Sequence, residues 1–516
     1  MDLQHEPPSE SGHPVAAPVG LILGPAVFIG LLVLLPAGSE GGLTGSGRVV
    51  CAAAAWMAVW WLTEAVPLAV TALLPLVIFP LGGVGSMRQA AAPYADEVIF
   101  LFMGGFVLGK SLEHSGLHRR LALWSVRVIG SSPARMIGGM MLATALISMF
   151  VSNTATAMMM TPIALSIATL VDARAAAPGG AWSARDAGNF ACAMLLGVAY
   201  ASSIGGMGTI IGTPPNMVFN GFVERELGTT IGFTQWMIVA MPVVLVLLPA
   251  SWFMLLAMHP VRARGIEGGR EFVASELRAL GPMRRAEWMV LIVFVCAVVL
   301  WIFRQPVCTA TGLVVTGKDG RAAALLSDAG IAILAALVLL IVPVGLRPRT
   351  TVITWRQAER LPWGILLLFG GGLSLAWAID QSGLDDVIGR QFGSLAGLPG
   401  WAVLLIVIAV MTFVGELSSN TAAATAAMPI LTAAGRGMGL EPIPLLMGAV
   451  LACSLGFMLP VATPPNAIVY ATGRVPSSRM LRAGLALDVL GILVIWGVLV
   501  LAGPWLMRLA GIPGVR

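Results

Sequence analysis

The sequence predicts an all-α polytopic membrane protein with about 11 transmembrane helices and two re-entrant hairpins, arranged as an inverted repeat. Hydrophobic residues make up 58% of the 516 residues and charged residues only 11%, against roughly 25% charged in ordinary soluble domains. The chain also contains two copies of a pair of polar motifs inside apolar sequence. Polar backbone in lipid is costly unless it lines a cavity or binds a ligand, so these copies indicate one shared site.

The predicted crossings are apolar runs of about 20 residues, the length that spans hydrocarbon. They lie near 20–38, 48–64, 66–83, 97–117, 188–222, 234–258, 287–303, 326–345, 361–380, 444–473 and 483–507.

Two further apolar stretches, 136–170 and 401–435, are predicted to be re-entrant hairpins. Each carries Ser-Asn-Thr near its middle, at residues 152–154 and 419–421. Each half is then about 15 residues, or roughly 23 Å of helix, which is short for a crossing.

The distribution of basic residues predicts the orientation. With a cytoplasmic N-terminus, the arginine-rich segments near 118–135, 262–285, 347–360 and 474–482 all lie inside, as the positive-inside rule requires. Eleven crossings then leave the C-terminus outside. The predicted location is the inner (plasma) membrane.

The repeat extends beyond the short motifs. The segment Phe102 to Leu117 recurs from Phe369 to Leu384, and Ser152 recurs at Ser419, so both shifts are 267 residues (419 − 152). Thr213 recurs at Thr463, a shift of 250. Five crossings separate the two units, and an odd number inverts them. Inverted repeats with interrupted helices are typical of secondary transporters.

The motif chemistry favours an anion carried together with cations. Ser, Asn and Thr cap helix N-termini, so each hairpin tip directs free N–H groups and a positive dipole end into the cavity. The Thr-Pro-Pro-Asn breaks at 213–216 and 463–466 free carbonyl oxygens, which are suitable ligands for a hard cation such as sodium.

With these motifs, and with 60-WWLTEAVP-67, 100-FLFMGGF-106 and 116-GLHRR-120, nearly the whole chain resembles the divalent anion/sodium symporters. The resemblance implies sodium-coupled symport of di- or tricarboxylates or sulfate, an elevator-type alternating-access mechanism, and a homodimer with a scaffold and a transport domain. It implies substrate contacts at Ser152, Asn153, Thr154, Thr213, Ser419, Asn420, Thr421 and Thr463.

The resemblance also implies two sodium sites. The first would use Ser148, Ser152, Asn153 and Gly212, and the second Gly415, Ser418, Asn420 and Ala462. Gly415 stands where we expect a threonine from the resemblance, so any hydroxyl ligand there is lost.

We expect no organic cofactor and no nucleic-acid partner. The predicted organisation of the chain follows from the assignments above. It comprises a disordered cytoplasmic tail (1–19), mainly scaffold helices (20–96), a first repeat (97–260), a cytoplasmic basic loop (261–286), scaffold helices (287–360), a second repeat (361–507) and a C-terminal tail (508–516). The broken helices are 188–222 and 444–473.

Several alternatives stay open or are disfavoured. His114 and His118 have the i, i+4 spacing of metal ligands, but their arginine neighbours favour interfacial packing. Glu416 has no counterpart in the first repeat, where Met149 stands, and either holds the hairpin or carries a proton. A channel would place its broken helices on an oligomer axis. An enzyme is disfavoured because H-E-x-x-H and G-x-S-x-G motifs are absent from the sequence.

An anion exchanger of the same fold is the nearest rival. Exchangers of this kind carry an arginine soon after the first Ser-Asn-Thr, where this chain has Ala155-Thr156-Ala157. The expected substrates are C4-dicarboxylates (succinate, malate or fumarate), because two hairpin tips suit two carboxylates. Sulfate and citrate remain alternatives.

Overall fold

The fold is that of a helical protein with short connections. The computed structural model describes residues 16–35, 43–129, 132–176, 182–263, 265, 269–316, 322–346, 349–393 and 397–512. The predicted tail at 1–19 and the end of the predicted tail at 508–516 therefore lie largely outside the described residues.

The helices follow one another along the chain. The first thirteen are α1 Ala16–Leu34, α2 Gly45–Thr63, α3 Leu68–Thr71, α4 Leu74–Leu81, α5 Met87–Ala91, α6 Glu97–Ser115, α7 Leu117–Ile129, α8 Pro133–Ser148, α9 Asn153–Ala175, α10 Ala184–Gly206, α11 Pro214–Leu227, α12 Phe233–Met258 and α13 Gly269–Ala279. The others are α14 Arg285–Ile302, α15 Arg304–Thr311, α16 Asp328–Ile341, α17 Trp355–Ala358, α18 Trp363–Ser382, α19 Leu384–Gly393, α20 Gly400–Leu417, α21 Asn420–Gly437, α22 Pro442–Cys453, α23 Pro464–Tyr470, α24 Ser477–Gly497 and α25 Gly503–Leu509. A 3-10 turn covers Ala92–Ala95 and a π-helical turn covers Val498–Ala502.

Two short antiparallel hairpins depart from the all-α prediction. β1 Val314–Thr316 pairs with β2 Ala322–Ala324, and β3 Pro343–Leu346 pairs with β4 Arg349–Thr351. Strands of three or four residues are too short for a period-of-two pattern to stand out from the apolar background. Both hairpins lie in connections between helices and leave the helical class unchanged.

The helix lengths refine the predicted crossings. In the described part of the chain, nine helical segments are long and apolar enough to cross a membrane. Seven correspond to predicted crossings, and the other two, α9 and α20, are arms of the predicted hairpins. The predicted crossing 66–83 is split into α3 and α4 just before Pro75, which has no backbone N–H to continue the helical hydrogen bonds. The predicted crossing 326–345 is a 14-residue helix, α16.

The hairpin arms are longer than the 15 residues predicted. α8 has 16 residues, α9 has 23, and α20 and α21 have 18 each. At 1.5 Å per residue α9 is about 35 Å long, which is enough to cross hydrocarbon. Arm length therefore gives no support for re-entry, and the re-entrant geometry stays a prediction.

The described residues divide into two compact units. Unit 1 contains those of Met1–Ile99, Val218–Thr229 and Pro362–Cys453, and unit 2 contains those of Phe100–Met217, Thr230–Leu361 and Ser454–Arg516. The first Ser-Asn-Thr and both Thr-Pro-Pro-Asn motifs lie in unit 2. The second Ser-Asn-Thr lies in unit 1.

The core of unit 1 is formed mainly by α2 and α18. Met57 and Trp61 on α2 pack with Phe79, Leu368 and Leu375 in one buried cluster. Close backbone contact supports this packing, since a Cβ at Gly371 would lie 2.6 Å from the carbonyl oxygen of Ala72. The α2–α18 core is continuous with α21, whose Ala422 is buried in the same cluster.

The centre of unit 2 is α10, which packs against α8, α9, α12 and α23. Small residues allow close approach: a Cβ at Gly205 would lie 2.3 Å from the carbonyl oxygen of Ala145 on α8. At the start of α12, Asp328 accepts from the backbone N–H of Phe233 at 3.0 Å and pairs with Arg304 at 3.0 Å. α10 itself is buried along nearly its whole length and packs beside the helices of the first motif.

Helix boundaries recur with the spacing of the sequence repeat. α7 and α19 begin at Leu117 and Leu384, α8 and α20 at Pro133 and Gly400, and α9 and α21 at Asn153 and Asn420, each a shift of 267 (420 − 153). Gly116 and Gly383 both adopt positive φ, at 81° and 68°, before α7 and α19. α11 and α23 begin at Pro214 and Pro464, a shift of 250 (464 − 214).

Candidate functional site

The first Ser-Asn-Thr lies where α8 ends and α9 begins. α8 ends at Ser148, the chain turns through 149–152, and α9 begins at Asn153. Ser152 is the N-cap, and its side chain accepts from the backbone N–H of Ala155 at 3.3 Å. The predicted capping role of the motif is therefore present in this copy, and the positive end of α9 lies at the tip.

Three oxygen atoms converge behind this tip. Ser148 Oγ lies 2.8 Å from Asn153 Oδ1 and 2.6 Å from the carbonyl oxygen of Ser202 on α10. Ser148 is completely buried. A serine hydroxyl has one proton, so it can donate to only one of these two acceptors at a time. Such a cluster of neutral oxygens is typical of a site for a hard cation.

Two glycines let the backbone approach this cluster. A Cβ at Gly206 would lie 2.4 Å from Asn153 Oδ1, and a Cβ at Gly212 would lie 2.4 Å from the carbonyl oxygen of Gly206. Both distances are shorter than any contact a side chain tolerates. The predicted ligand Gly212 is thus connected to Asn153 through Gly206, which the sequence reasoning missed, although the Gly205-Gly206 pair ending a helix was an available signal.

The first helix break is held by Asn216. α10 ends at Gly206 and α11 begins at Pro214, and Asn216 Nδ2 donates to the carbonyl oxygens of Gly206 at 3.1 Å and Thr209 at 2.8 Å. This side chain replaces helical hydrogen bonds that the break removes. The sequence analysis predicted the break from its prolines, and this role of asparagine was not predicted.

The second break repeats the arrangement. α22 ends at Cys453 and α23 begins at Pro464, and Asn466 Nδ2 donates to the carbonyl oxygens of Gly456 and Leu459, both at 2.9 Å. The acceptors Thr209 and Leu459 differ by 250 residues, the same shift as the motifs. In unit 2, α23 packs against α9 and α10, so the second break adjoins the helices of the first tip.

Several buried polar atoms near these breaks have no hydrogen-bond partner in the described part of the chain. They are Asn216 Oδ1, Asn466 Oδ1, Thr463 Oγ1 and Ser203 Oγ. Buried oxygens are normally satisfied, so a group of free acceptors where helices are interrupted fits a site that takes a cation or a polar substrate. Thr213 is also buried.

The second Ser-Asn-Thr, in unit 1, has a different local geometry. α20 ends at Leu417 and α21 begins at Asn420, while Ser418 and Ser419 are extended. Ser419 makes no side-chain capping bond, and Ser418 Oγ donates to the carbonyl oxygen of Val414 at 2.8 Å. The motif serine therefore caps the start of α9 in the first copy, but it does not cap the start of α21 in the second copy.

Asn420 carries the corresponding free oxygen. Its Oδ1 is buried and has no hydrogen-bond partner among the described residues. A Cβ at Gly415 would lie 3.1 Å from Asn420 Oδ1 and 3.3 Å from the carbonyl oxygen of Cys453. These two oxygens fit a hard cation, and the missing side chain at Gly415 leaves the space beside them open. Cys453 was not among the predicted ligands, because a backbone carbonyl has no sequence signature.

The remaining predicted residues are described by burial. Ser152 is exposed, Thr154, Ser419 and Thr421 are half-buried, and Ala462 is buried. Glu416 is buried at 2% exposure. His118 Nδ1 lies 3.1 Å from the carbonyl oxygen of Leu112, and His114 lies beside Gln357, so each imidazole has a local partner.

The sequence segments that carry the four motifs contain no basic residue. Neither Lys nor Arg occurs at 136–173, 186–224, 391–435 or 437–473, which cover both motifs of both copies. Helix ends, amide groups and carbonyl oxygens are therefore the polar groups these segments supply. Together with the apolar helices, they define the class of polytopic helical membrane proteins that bind small ions at interrupted helices.

Comparison with known proteins gives the family. The family described as "Sodium:sulfate symporter transmembrane region" matches residues 19–509, nearly the whole chain. The chain belongs to this family. It is 37% identical over 481 residues to the sodium-dependent dicarboxylate transporter SdcS of Staphylococcus saprophyticus, covering 92% of this chain and 89% of that protein. The identity and coverage are the same for SdcS of Staphylococcus aureus.

Two solved structures share the fold. The Neisseria gonorrhoeae protein MtrF, described as illuminating a class of antimetabolite efflux pumps, superposes with a TM-score of 0.58 at 13% identity and 94% coverage of each chain. The Alcanivorax borkumensis YdaH transporter superposes with a TM-score of 0.56 at 13% identity, covering 95% of this chain and 98% of its own. At this identity the likeness extends to the fold alone.

Proposed function

We propose that this protein is a sodium-coupled symporter that carries C4-dicarboxylates such as succinate, malate or fumarate into the cell. The proposal rests on one arrangement that occurs in both copies, an asparagine side-chain oxygen and a backbone carbonyl oxygen beside the same residue. In the first copy, Asn153 Oδ1 and the carbonyl oxygen of Ser202 both contact the Ser148 hydroxyl. In the second copy, Asn420 Oδ1 and the carbonyl oxygen of Cys453 both lie beside Gly415. Family membership and the identity to SdcS support sodium coupling and a dicarboxylate substrate.

In this proposal, bound sodium compensates the negative charge of the substrate. A dianion in a membrane site without Lys or Arg requires compensating charge, and helix N-termini supply only partial charges of about half a unit each. Sodium ions at the Asn153 and Asn420 oxygens supply the remainder. Binding of the anion therefore depends on prior binding of sodium, and this order prevents uncoupled anion leakage.

The proposed substrate contacts are the motif hydroxyls, amides and helix N-termini. Ser152, Asn153 and Thr154 with Thr213 serve one carboxylate, and Ser419, Asn420 and Thr421 with Thr463 serve the other. The first sodium site uses Ser148, Ser152, Asn153 and Gly212, and the second uses Gly415, Ser418, Asn420 and Ala462. We add the carbonyl oxygens of Ser202 and Cys453 to these sets.

The transport cycle in this proposal is alternating access of elevator type in a homodimer. The two repeats are inverted, and the two hairpins enter from opposite sides of the inner membrane. The equal shift of 267 residues in the starts of α7 and α19, α8 and α20, and α9 and α21 supports duplication of one structural unit. Inverted duplication gives two related conformations that expose one site to each side in turn.

Uptake into proteoliposomes tests the function. Labelled succinate should accumulate when an inward sodium gradient is imposed, and replacing sodium by potassium should abolish accumulation. Malate and fumarate should compete, whereas citrate should compete weakly, because the motif segments supply no cationic side chain for a third carboxylate. Accumulation without sodium that requires a counter-anion inside the vesicle would instead identify an exchanger.

A further inference from the structure

A cavity in unit 2 that contains no residue of the Ser-Asn-Thr or Thr-Pro-Pro-Asn motifs combines apolar and cationic groups. Its volume is about 850 Å³. It lies between α7, α13 and the start of α14. Its lining residues are Leu117, Arg120, Leu121, Trp124, Arg127, Ala274, Leu277, Arg278, Gly281, Pro282, Met283 and Leu291.

Two short amphipathic helices form the cavity walls. α7 has 13 residues and α13 has 11, or about 20 and 17 Å of helix, so neither crosses a membrane. On α7, Leu117, Leu121 and Trp124 recur every three or four residues and share one face. Arg120 and Arg127 line the same cavity beside them, and amphipathic helices that carry arginine with Leu and Trp are typical of the membrane interface.

One ion pair joins α7 to α13, and a second joins α7 to α14. Arg119 on α7 pairs with Glu276 on α13 at 2.7 Å. Arg120 pairs with Glu287 on α14 at 3.1 Å and donates to the carbonyl oxygen of Gly281 at 2.9 Å. Glu287 is only 2% exposed. The charge of Arg120 is thus paired with a carboxylate on α14.

Arg127 and Arg278 take no part in these ion pairs. Both are exposed and line the cavity, and neither has a carboxylate at ion-pair distance among the described residues. Arg278 Nε donates only to the carbonyl oxygen of Ala274 on its own helix, at 3.3 Å. Two positive charges therefore adjoin a cavity beside Trp124 and Leu121, whose exposed fractions are 60% and 40%.

We propose that this cavity binds an anionic phospholipid from the adjoining leaflet. The phosphodiester head group pairs with Arg127 and Arg278, which line the same cavity, and the upper part of an acyl chain covers Leu121, Trp124 and Leu291. A soluble anion would satisfy the arginines but leave this apolar wall in water, whereas a phospholipid matches both chemistries. The site contains none of the proposed sodium or succinate ligands.

Photo-crosslinking of the purified full-length protein in mixed micelles tests the proposal. A photoactivatable phosphatidylglycerol should label peptides from α7 and α13, and the zwitterionic phosphatidylcholine analogue should label them several-fold less. Arg127→Gln/Arg278→Gln should weaken phosphatidylglycerol labelling by roughly tenfold or more, since each arginine near an anionic surface contributes to binding. Arg127→Lys/Arg278→Lys should retain most of the labelling because the charge is kept.

The matched control is Arg356→Gln/Arg360→Gln, which removes two exposed arginines elsewhere in unit 2. It should label like the unaltered protein. Equal labelling by both lipids, or labelling unaffected by Arg127→Gln/Arg278→Gln, would overturn the proposal. Displacement of the lipid by inorganic phosphate at constant ionic strength would also overturn it and indicate a soluble-anion site. The readout is lipid binding, so it is independent of whether succinate is the transported anion.

Discussion

Asn153 and Asn420 occupy equivalent positions in the repeat, but their side-chain oxygens have different surroundings. Asn153 Oδ1 lies 2.8 Å from the Ser148 hydroxyl, whereas Asn420 Oδ1 has no hydrogen-bond partner among the described residues. A buried oxygen without a donor gains more from a cation than one that already shares a proton. We therefore expect the two sodium sites to differ in affinity although both contain the Ser-Asn-Thr motif.

The first prediction concerns these amides. Asn153→Ala and Asn420→Ala each remove one oxygen assigned to both sodium and substrate, and a lost ligand in a buried site costs about 1–3 kcal/mol. Each variant should lower the rate of succinate uptake at limiting sodium by roughly tenfold or more. Expression and size-exclusion profile should be unchanged. Normal uptake by both variants would exclude the proposed ligand role.

The second prediction concerns Gly415. A Cβ there would lie 3.1 Å from Asn420 Oδ1, so Gly415→Ser can place a hydroxyl beside the second sodium site. We expect a lower sodium concentration for half-maximal uptake. Gly415→Ala is the control, because it adds the Cβ without the hydroxyl and should leave sodium affinity the same or weaker. If serine and alanine act alike, the added oxygen does not reach the cation.

At the scale of elements, the helix breaks in unit 2 place backbone carbonyl oxygens and asparagine side chains close together. The break after α10 ends helical hydrogen bonding at Gly206, and Asn216 holds the resulting loop. Gly206 has no side chain, and this allows α10 to pack directly on Asn153. The position of the first cation site therefore depends on a glycine that contributes no ligand itself.

The third prediction tests this dependence. A Cβ at Gly206 would lie 2.4 Å from Asn153 Oδ1, so Gly206→Ala should displace the amide and largely abolish sodium-dependent uptake. Gly188→Ala on the same helix meets no atom within 4 Å and should retain uptake. The Gly188→Ala substitution should stabilise α10 by about 0.5–1 kcal/mol, because alanine loses less backbone entropy than glycine in a helix. Equal uptake by both variants would contradict the assigned geometry.

Some elements could be predicted from sequence and others could not. Ser-Asn-Thr predicts the starts of α9 and α21, since these residues cap helices, and Thr-Pro-Pro-Asn predicts the breaks before α11 and α23. The arm lengths were underestimated because apolar composition does not mark helix ends. The carbonyl oxygens of Ser202 and Cys453 could not be predicted, because every residue has such a group and only the tertiary fold selects one.

At the scale of the whole molecule, the basic loops predict the orientation of the chain. The fourth prediction is that the N-terminus is cytoplasmic and the C-terminus is outside. Alkaline phosphatase fused after Arg516 should be active, whereas fusion within the basic segment 262–285 should be inactive and a fluorescent-protein fusion there should fluoresce. An active phosphatase at the basic segment would reverse the orientation and contradict the positive-inside assignment.

The central claim is that bound sodium supplies the positive charge that a site without Lys or Arg lacks. The most direct test is to measure sodium and succinate fluxes together, with both labelled, in the same proteoliposomes. The two fluxes should rise and fall together, with more than one sodium entering per succinate and a sigmoidal dependence of uptake on sodium concentration. Succinate uptake that proceeds at the same rate without sodium flux would contradict it.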